Sequence, residues 1–147
     1  MNSQKVVGYT SGVFDMFHVG HLRILSRARS LCDHLIVGVS TDELVQSYKN
    51  KTPIIPYSDR AEIVSAVSYV DQVVAQNNRD KFSAWEQHKF NVMFVGDDWK
   101  GKPVFLEAER KLKSVNVEVV YFPYTNSISS SRLTKVLEAI ERNGSLI

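Results

Sequence analysis

Short apolar runs alternate with helical patterns along the whole of this chain, and no other feature restricts its fold as much. Four runs, Lys5–Thr10, Leu35–Ser40, Asn91–Val95 and Val117–Phe122, are brief, rich in β-branched residues and nearly continuous in hydrophobicity; a weaker fifth covers Val70–Ala75. Strands of a parallel sheet covered on both faces read this way, because neither face is left for polar residues. Between the runs the apolar period changes. Leu22, Leu25, Ala28 and Leu31 recur every third residue, and Ile63, Val64 and Val67 form a stripe after Ser58. Leu133, Val136, Leu137 and Ile140 have the i, i+3, i+4, i+7 spacing of an amphipathic helix. Ser40-Thr41-Asp42-Glu43 has the spacing of a capping box, with Ser40 as the expected cap. The alternation predicts an α/β fold: an open five-stranded parallel sheet, helices on both faces and right-handed crossovers. Ligands of such sheets sit beyond the carboxyl ends of the strands, and chemistry is expected there.

At 147 residues the chain fits one domain, 1–147, with enough length to bury a core. A net charge of +2 is too small to imply nucleic-acid binding, so any phosphate chemistry must come from locally placed residues. The single cysteine, Cys32, rules out an internal disulfide and reads as a buried thiol at the end of an apolar helical pattern. No stretch approaches ~18 apolar residues, and the start lacks the apolar region of a signal peptide. The expectation is a cytoplasmic protein without membrane insertion.

The first apolar run leads into Thr10-Ser11-Gly12-Val13-Phe14-Asp15-Met16-Phe17-His18-Val19-Gly20-His21, after which a helix begins. Gly12 and Gly20 permit close backbone approach, and a helix N-terminus offers free N–H groups and a positive dipole end to an anion. His18 and His21, three apart, project from neighbouring positions on a first helical turn. Two imidazoles there can donate hydrogen bonds to phosphate oxygens and stabilise a departing pyrophosphate. A zinc site would need further ligands, and His34 and His88 stand elsewhere, at a strand start and a helix end. The pattern is neither a Walker loop nor the Gly-x-Gly-x-x-Gly fingerprint.

Gly12-Val13-Phe14-Asp15 followed by His18-Val19-Gly20-His21 resembles the signature of the cytidylyltransferase family, within the wider nucleotidyltransferase superfamily. The resemblance extends from about Val6 to Leu137 through an ordered set of further motifs: Lys49-Asn50-Lys51, Tyr57-Ser58-Asp59-Arg60, Tyr69-Val70-Asp71-Gln72-Val73, Gly96-Asp97-Asp98-Trp99 and Tyr124–Ser131. It implies a Rossmann-like nucleotidyltransferase fold and transfer of CMP from CTP to a phosphorylated alcohol. Glycerol 3-phosphate is the first acceptor it suggests; phosphocholine, phosphoethanolamine and another polyol phosphate are alternatives, as is a non-catalytic nucleotide-binding module. By the same resemblance His18, His21 and Lys51 are catalytic. Thr10, Ser11, Gly12, Phe14, Asp15, Gly20, Asp98, Tyr124, Thr125, Ile128, Ser129 and Ser130 bind the nucleotide, while Lys49, Arg60 and Asp71 serve the acceptor. No protein metal ligand is expected; Mg²⁺ arrives on the CTP phosphates, and the family suggests a homodimer. Two arginines of the family pattern are replaced, by Tyr124 and Ser68. A tyrosine donates one neutral hydrogen bond but cannot replace a permanent charge with a forked donor set.

Overall fold

The computed structural model describes residues 5–96, 100–123 and 135–140. Strands β1 (Val7–Gly12), β2 (His34–Ser40), β3 (Gln72–Gln76), β4 (Val92–Gly96) and β5 (Glu118–Phe122) alternate with helices α1 (Val19–Arg29), α2 (Asp42–Lys49), α3 (Tyr57–Ser65), α4 (Lys81–His88) and α5 (Pro103–Ser114). A helical stretch at 135–140 lies near the end of the chain. All strand pairs are parallel, in the order β3-β2-β1-β4-β5. The expected five-stranded sheet is therefore present, and the chain order reverses between β1 and β4.

Two hydrophobic clusters hold the helices on. On one face Leu35, Val37 and Val39 of β2 pack with Leu25 and Ala28 of α1 and Val64 of α3. On the other, Tyr9, Ile36 and Met93 pack with Leu112 of α5, and Phe82 and Trp85 of α4 lean against them. The alternation Leu35-Ile36-Val37 between faces follows from the two-residue strand period and explains why β2 is apolar throughout. Cys32 is buried as expected, its thiol raised by desolvation.

Element boundaries differ from the sequence reading in two instructive places. β3 begins at Gln72 because the Val70 N–H still closes the turn after α3, donating to Val67 O at 3.0 Å. The cap of α2 is Thr41: its Oγ1 accepts the Leu44 N–H at 3.1 Å, while Ser40 is the last residue of β2. Among the described residues no helix is long and apolar enough to cross a membrane.

Candidate active site

The carboxyl ends of β1 and β4 separate. Their ladder runs only through Gly8–Val92 and Tyr9–Met93, whereas β1 and β2 stay paired from Val7–His34 to Gly12–Val39. Buried Thr10 spans the parting strands, its Oγ1 donating to Phe94 O at 3.0 Å. This reversal point is where an open α/β sheet leaves a crevice, and a cavity of about 1020 Å³ opens there.

The turn from β1 to α1 is wound tightly. Phe14 and Met16 adopt left-handed backbone conformations, with φ of 56° and 49°. Non-glycine residues pay about 1–2 kcal/mol for this region, a strain that clusters at functional sites. The turn is held from outside: buried Asp15 accepts the Ile54 and Ile55 N–H groups at 2.8 and 2.9 Å, tying the loop after α2 to the cavity floor.

His18 and His21 meet at the mouth of α1. His18 is its N-cap, and its Nδ1 accepts the Gly20 N–H at 3.0 Å. His21 Nδ1 in turn accepts the His18 N–H at 3.1 Å, a capping box built from two imidazoles. The rings stack with centroids 4.0 Å apart. Because each Nδ1 is an acceptor, each neutral ring carries its proton on Nε2. Burial, reinforced by the neighbouring His18, pushes His21 down to about 4, against a smaller opposing pull from Asp15. Burial also lowers His18. Both rings are thus neutral N–H donors at physiological pH, and His18 Nε2 is buried with no partner among the described residues. An unmatched buried donor costs free energy that an anion's oxygen would recover. Gly20 is buried between the two histidines, and the helix N-terminus adds its dipole.

Thr10, Ser11, Gly12, Phe14, Asp15, His18, Gly20 and His21 all line the cavity, as do Lys49 and Lys51. Lys51 sits on the loop after α2 and pairs with Glu138 of the 135–140 helix at 3.6 Å; both side chains are about half exposed. The positions Asp98, Tyr124, Thr125, Ile128, Ser129 and Ser130 lie outside the described residues. Among the described residues, no group of three or more carboxylate, histidine or cysteine side chains is arranged to hold a metal ion.

Two expected acceptor residues stand elsewhere. Arg60 is 1% exposed. It donates to Ile55 O, Val13 O, Ser40 O and the Asp42 carboxylate at 2.6–2.8 Å. Its guanidinium is consumed in joining three segments beneath the cavity. Asp71 lies at the opposite, amino-terminal edge of the sheet, where it accepts the Leu35 N–H at 2.8 Å and pairs with Arg29 at 3.1 Å. A residue just before a parallel strand cannot reach the carboxyl edge, so the expectation that Asp71 borders the acceptor pocket is corrected.

The cavity also holds residues that the sequence reading missed. Lys81 Nζ donates to Ser11 Oγ at 2.9 Å, and desolvation with the nearby Arg79 pushes its pKa down to about 8. Arg79 lays its guanidinium over the Tyr48 ring, 4.4 Å from the centroid. Asn77-Asn78-Arg79-Asp80-Lys81 reads as an ordinary polar loop. The available signal was its place directly after β3, on the same sheet edge as the histidines.

An open sheet of this order, with its ligand end built around a histidine-capped helix, is the arrangement of the nucleotidyltransferases. Residues 9–136 match the family model described as cytidylyltransferase-like, and the chain belongs to that family. It is 37% identical over 138 residues to glycerol-3-phosphate cytidylyltransferase of Bacillus spizizenii, covering 93% of this chain and 99% of that protein. It is also 37% identical over 142 residues to an FAD synthase of Pyrococcus horikoshii, covering 95% of each. Among solved structures, a lipopolysaccharide core biosynthesis protein from Thermoplasma volcanium superposes with a TM-score of 0.69 at 24% identity, over 83% of this chain and 98% of the other. That likeness supports the fold alone.

Proposed function

We propose that the protein transfers CMP from CTP to a phosphorylated alcohol, with glycerol 3-phosphate the best-supported acceptor, giving CDP-glycerol and pyrophosphate. The observation that carries this reading is the stacked His18–His21 pair, two neutral imidazoles fixed at a helix N-terminus on the wall of the cavity. A phosphate oxygen of the acceptor attacks the α-phosphorus of CTP in line, and the bond to the leaving pyrophosphate breaks. Charge accumulates on the phosphoryl and leaving oxygens, where fixed donors act without reorganising. His18 and His21 supply those donors, and Lys51 approaches from its loop as a mobile point charge, exchanging Glu138 for phosphate oxygens. No covalent enzyme intermediate is required.

Thr10, Ser11, Gly12, Phe14, Asp15 and Gly20 form the floor under the triphosphate, and Lys49 helps hold the acceptor. Phe94, Phe105 and Phe122 line the cavity beside β4 and β5 and offer aromatic faces to the cytidine. The described carboxylates do not converge on a metal, and Asp15 is engaged by two backbone N–H groups. By the family resemblance Mg²⁺ would be borne by the nucleotide, where it would offset charge on the pyrophosphate. A homodimer and a cytoplasmic location complete the proposal, on family resemblance.

The test is pyrophosphate release with Mg²⁺ and CTP against a panel of phosphorylated alcohols. His18→Asn keeps an N-cap acceptor but removes the Nε2 donor, so it separates catalysis from folding. A loss of roughly 10²–10³-fold in turnover by a folded His18→Asn protein is expected; full turnover would sink the mechanism. The equal identity to an FAD synthase favours a second reading, in which the donor is ATP and the acceptor FMN. Running that pair in the same assay decides between them.

A further inference from the structure

The cavity has two chemically different ends on either side of the histidines. Toward β4 and β5 its wall includes Phe94, Phe105 and Phe122, where the proposed reading seats the cytidine. Toward β2 and β3 its wall is Tyr48, Lys49, Arg79 and Lys81, and this end is left for the acceptor. Aromatic faces are the usual means of holding an ammonium or quaternary ammonium group. The Tyr48 ring is already occupied, because Arg79 lies on it at 4.4 Å and Lys49 stands 5.8 Å from its centroid. The carboxylate at this end, Asp80, caps α4 through Oδ1, which accepts the Phe82 and Ser83 N–H groups, and the three cations Lys49, Arg79 and Lys81 outnumber it.

We propose that Arg79, seated on Tyr48, is a specificity-determining residue of the acceptor end, admitting a phosphorylated alcohol whose far end is neutral or anionic and rejecting one that ends in an ammonium group. The inference rests on the transferase reading for the identity of the acceptor, not for the charge selection itself. Two cations beside one ring repel a third, and the effect is felt within about one Debye length, ~8–10 Å. This end therefore keeps a permanent cation in a chain that has Tyr124 and Ser68 where the family pattern has arginines.

The experiment measures binding and turnover of glycerol 3-phosphate and phosphocholine, in the presence of CTP, for the native protein, Arg79→Gln and Arg79→Lys. The native protein is expected to prefer glycerol 3-phosphate. Arg79→Gln should weaken that acceptor through KM, leave the KM for CTP unchanged and shift the preference toward phosphocholine by roughly tenfold. Arg79→Lys, which keeps the charge, should retain most of the preference. A preference unchanged in Arg79→Gln, or a native protein that binds both acceptors equally, overturns the proposal. Charge selection seen by calorimetry without pyrophosphate release upholds Arg79 and removes the transferase reading. Pyrophosphate release with an unmoved preference does the reverse.

Discussion

An arginine in the first turn of a helix works against the dipole, and the sequence around Arg60 offers no local partner that would offset the cost. The fold supplies the partners from a distance: carbonyls of Val13, Ser40 and Ile55 and the carboxylate of Asp42 converge on one buried guanidinium. Removing it leaves three carbonyls and a carboxylate without their donor. Arg60→Met is therefore expected to cost about 2–4 kcal/mol in denaturant unfolding, the range for breaking a largely buried charged network. A loss below about 1 kcal/mol together with a raised acceptor KM would return Arg60 to the substrate. The residue type was legible in the sequence, but its target was not, because the bonds span separations of up to 47 residues. His18 and His21 were legible for the opposite reason: their geometry is set within one helical turn, so spacing alone placed the rings together. Lys81 was hidden because its neighbour Ser11 lies 70 residues away.

At the scale of elements, the short apolar runs identified each of the described strands, with frames that slipped by one or two residues at their ends. Val70 shows the slip, a residue kept by a turn, whereas Ser40 ends its strand as expected and only the cap of α2 moves, to Thr41. The parallel sense was readable from the alternation, but the order of the strands across the sheet was not, since pairing is a long-range property. β1 is the element on which that order depends, because it is the strand that pairs on both sides of the reversal. Gly8 lies where it meets β4, and a Cβ there would stand 2.7 Å from the Phe94 ring and 2.8 Å from Cys32 Sγ. Both neighbours are buried and have little room to move. Gly8→Ala is expected to destabilise by about 1–3 kcal/mol, the usual cost of overpacking a filled core. Since Thr10 and the histidines hang from the same strand, turnover should also fall at temperatures where the protein remains folded. An unchanged melting temperature would show that β1 and β4 can part without loss.

For the molecule as a whole, the ionisable groups around the cavity set how activity and stability answer to pH, and the two answers separate on the alkaline side. The histidines act as neutral donors, His21 pushed down to about 4 and His18 lowered from 6.5 by burial, so kcat/KM should be flat through neutrality. Below that range the folded state resists protonation of His21 while the unfolded chain does not. The stability this group contributes is complete above its ordinary value of 6.5 and is lost as pH falls toward about 4. Lys81, lowered to about 8, should give the alkaline limb, because its ammonium is lost above that pH and the cavity with it loses a cation. The same depressed value means that the unfolded chain holds more protons between about 8 and 10.5, so the contribution of Lys81 to folding stability rises with pH over that interval. Activity is therefore expected to fall above pH 8 while unfolding measurements show no matching loss attributable to this group. Lys81→Arg, whose guanidinium stays charged throughout, should carry the plateau past pH 9. An alkaline limb that stays in place in Lys81→Arg would assign it to another group, and a limb that tracks the unfolding curve would assign it to loss of the fold.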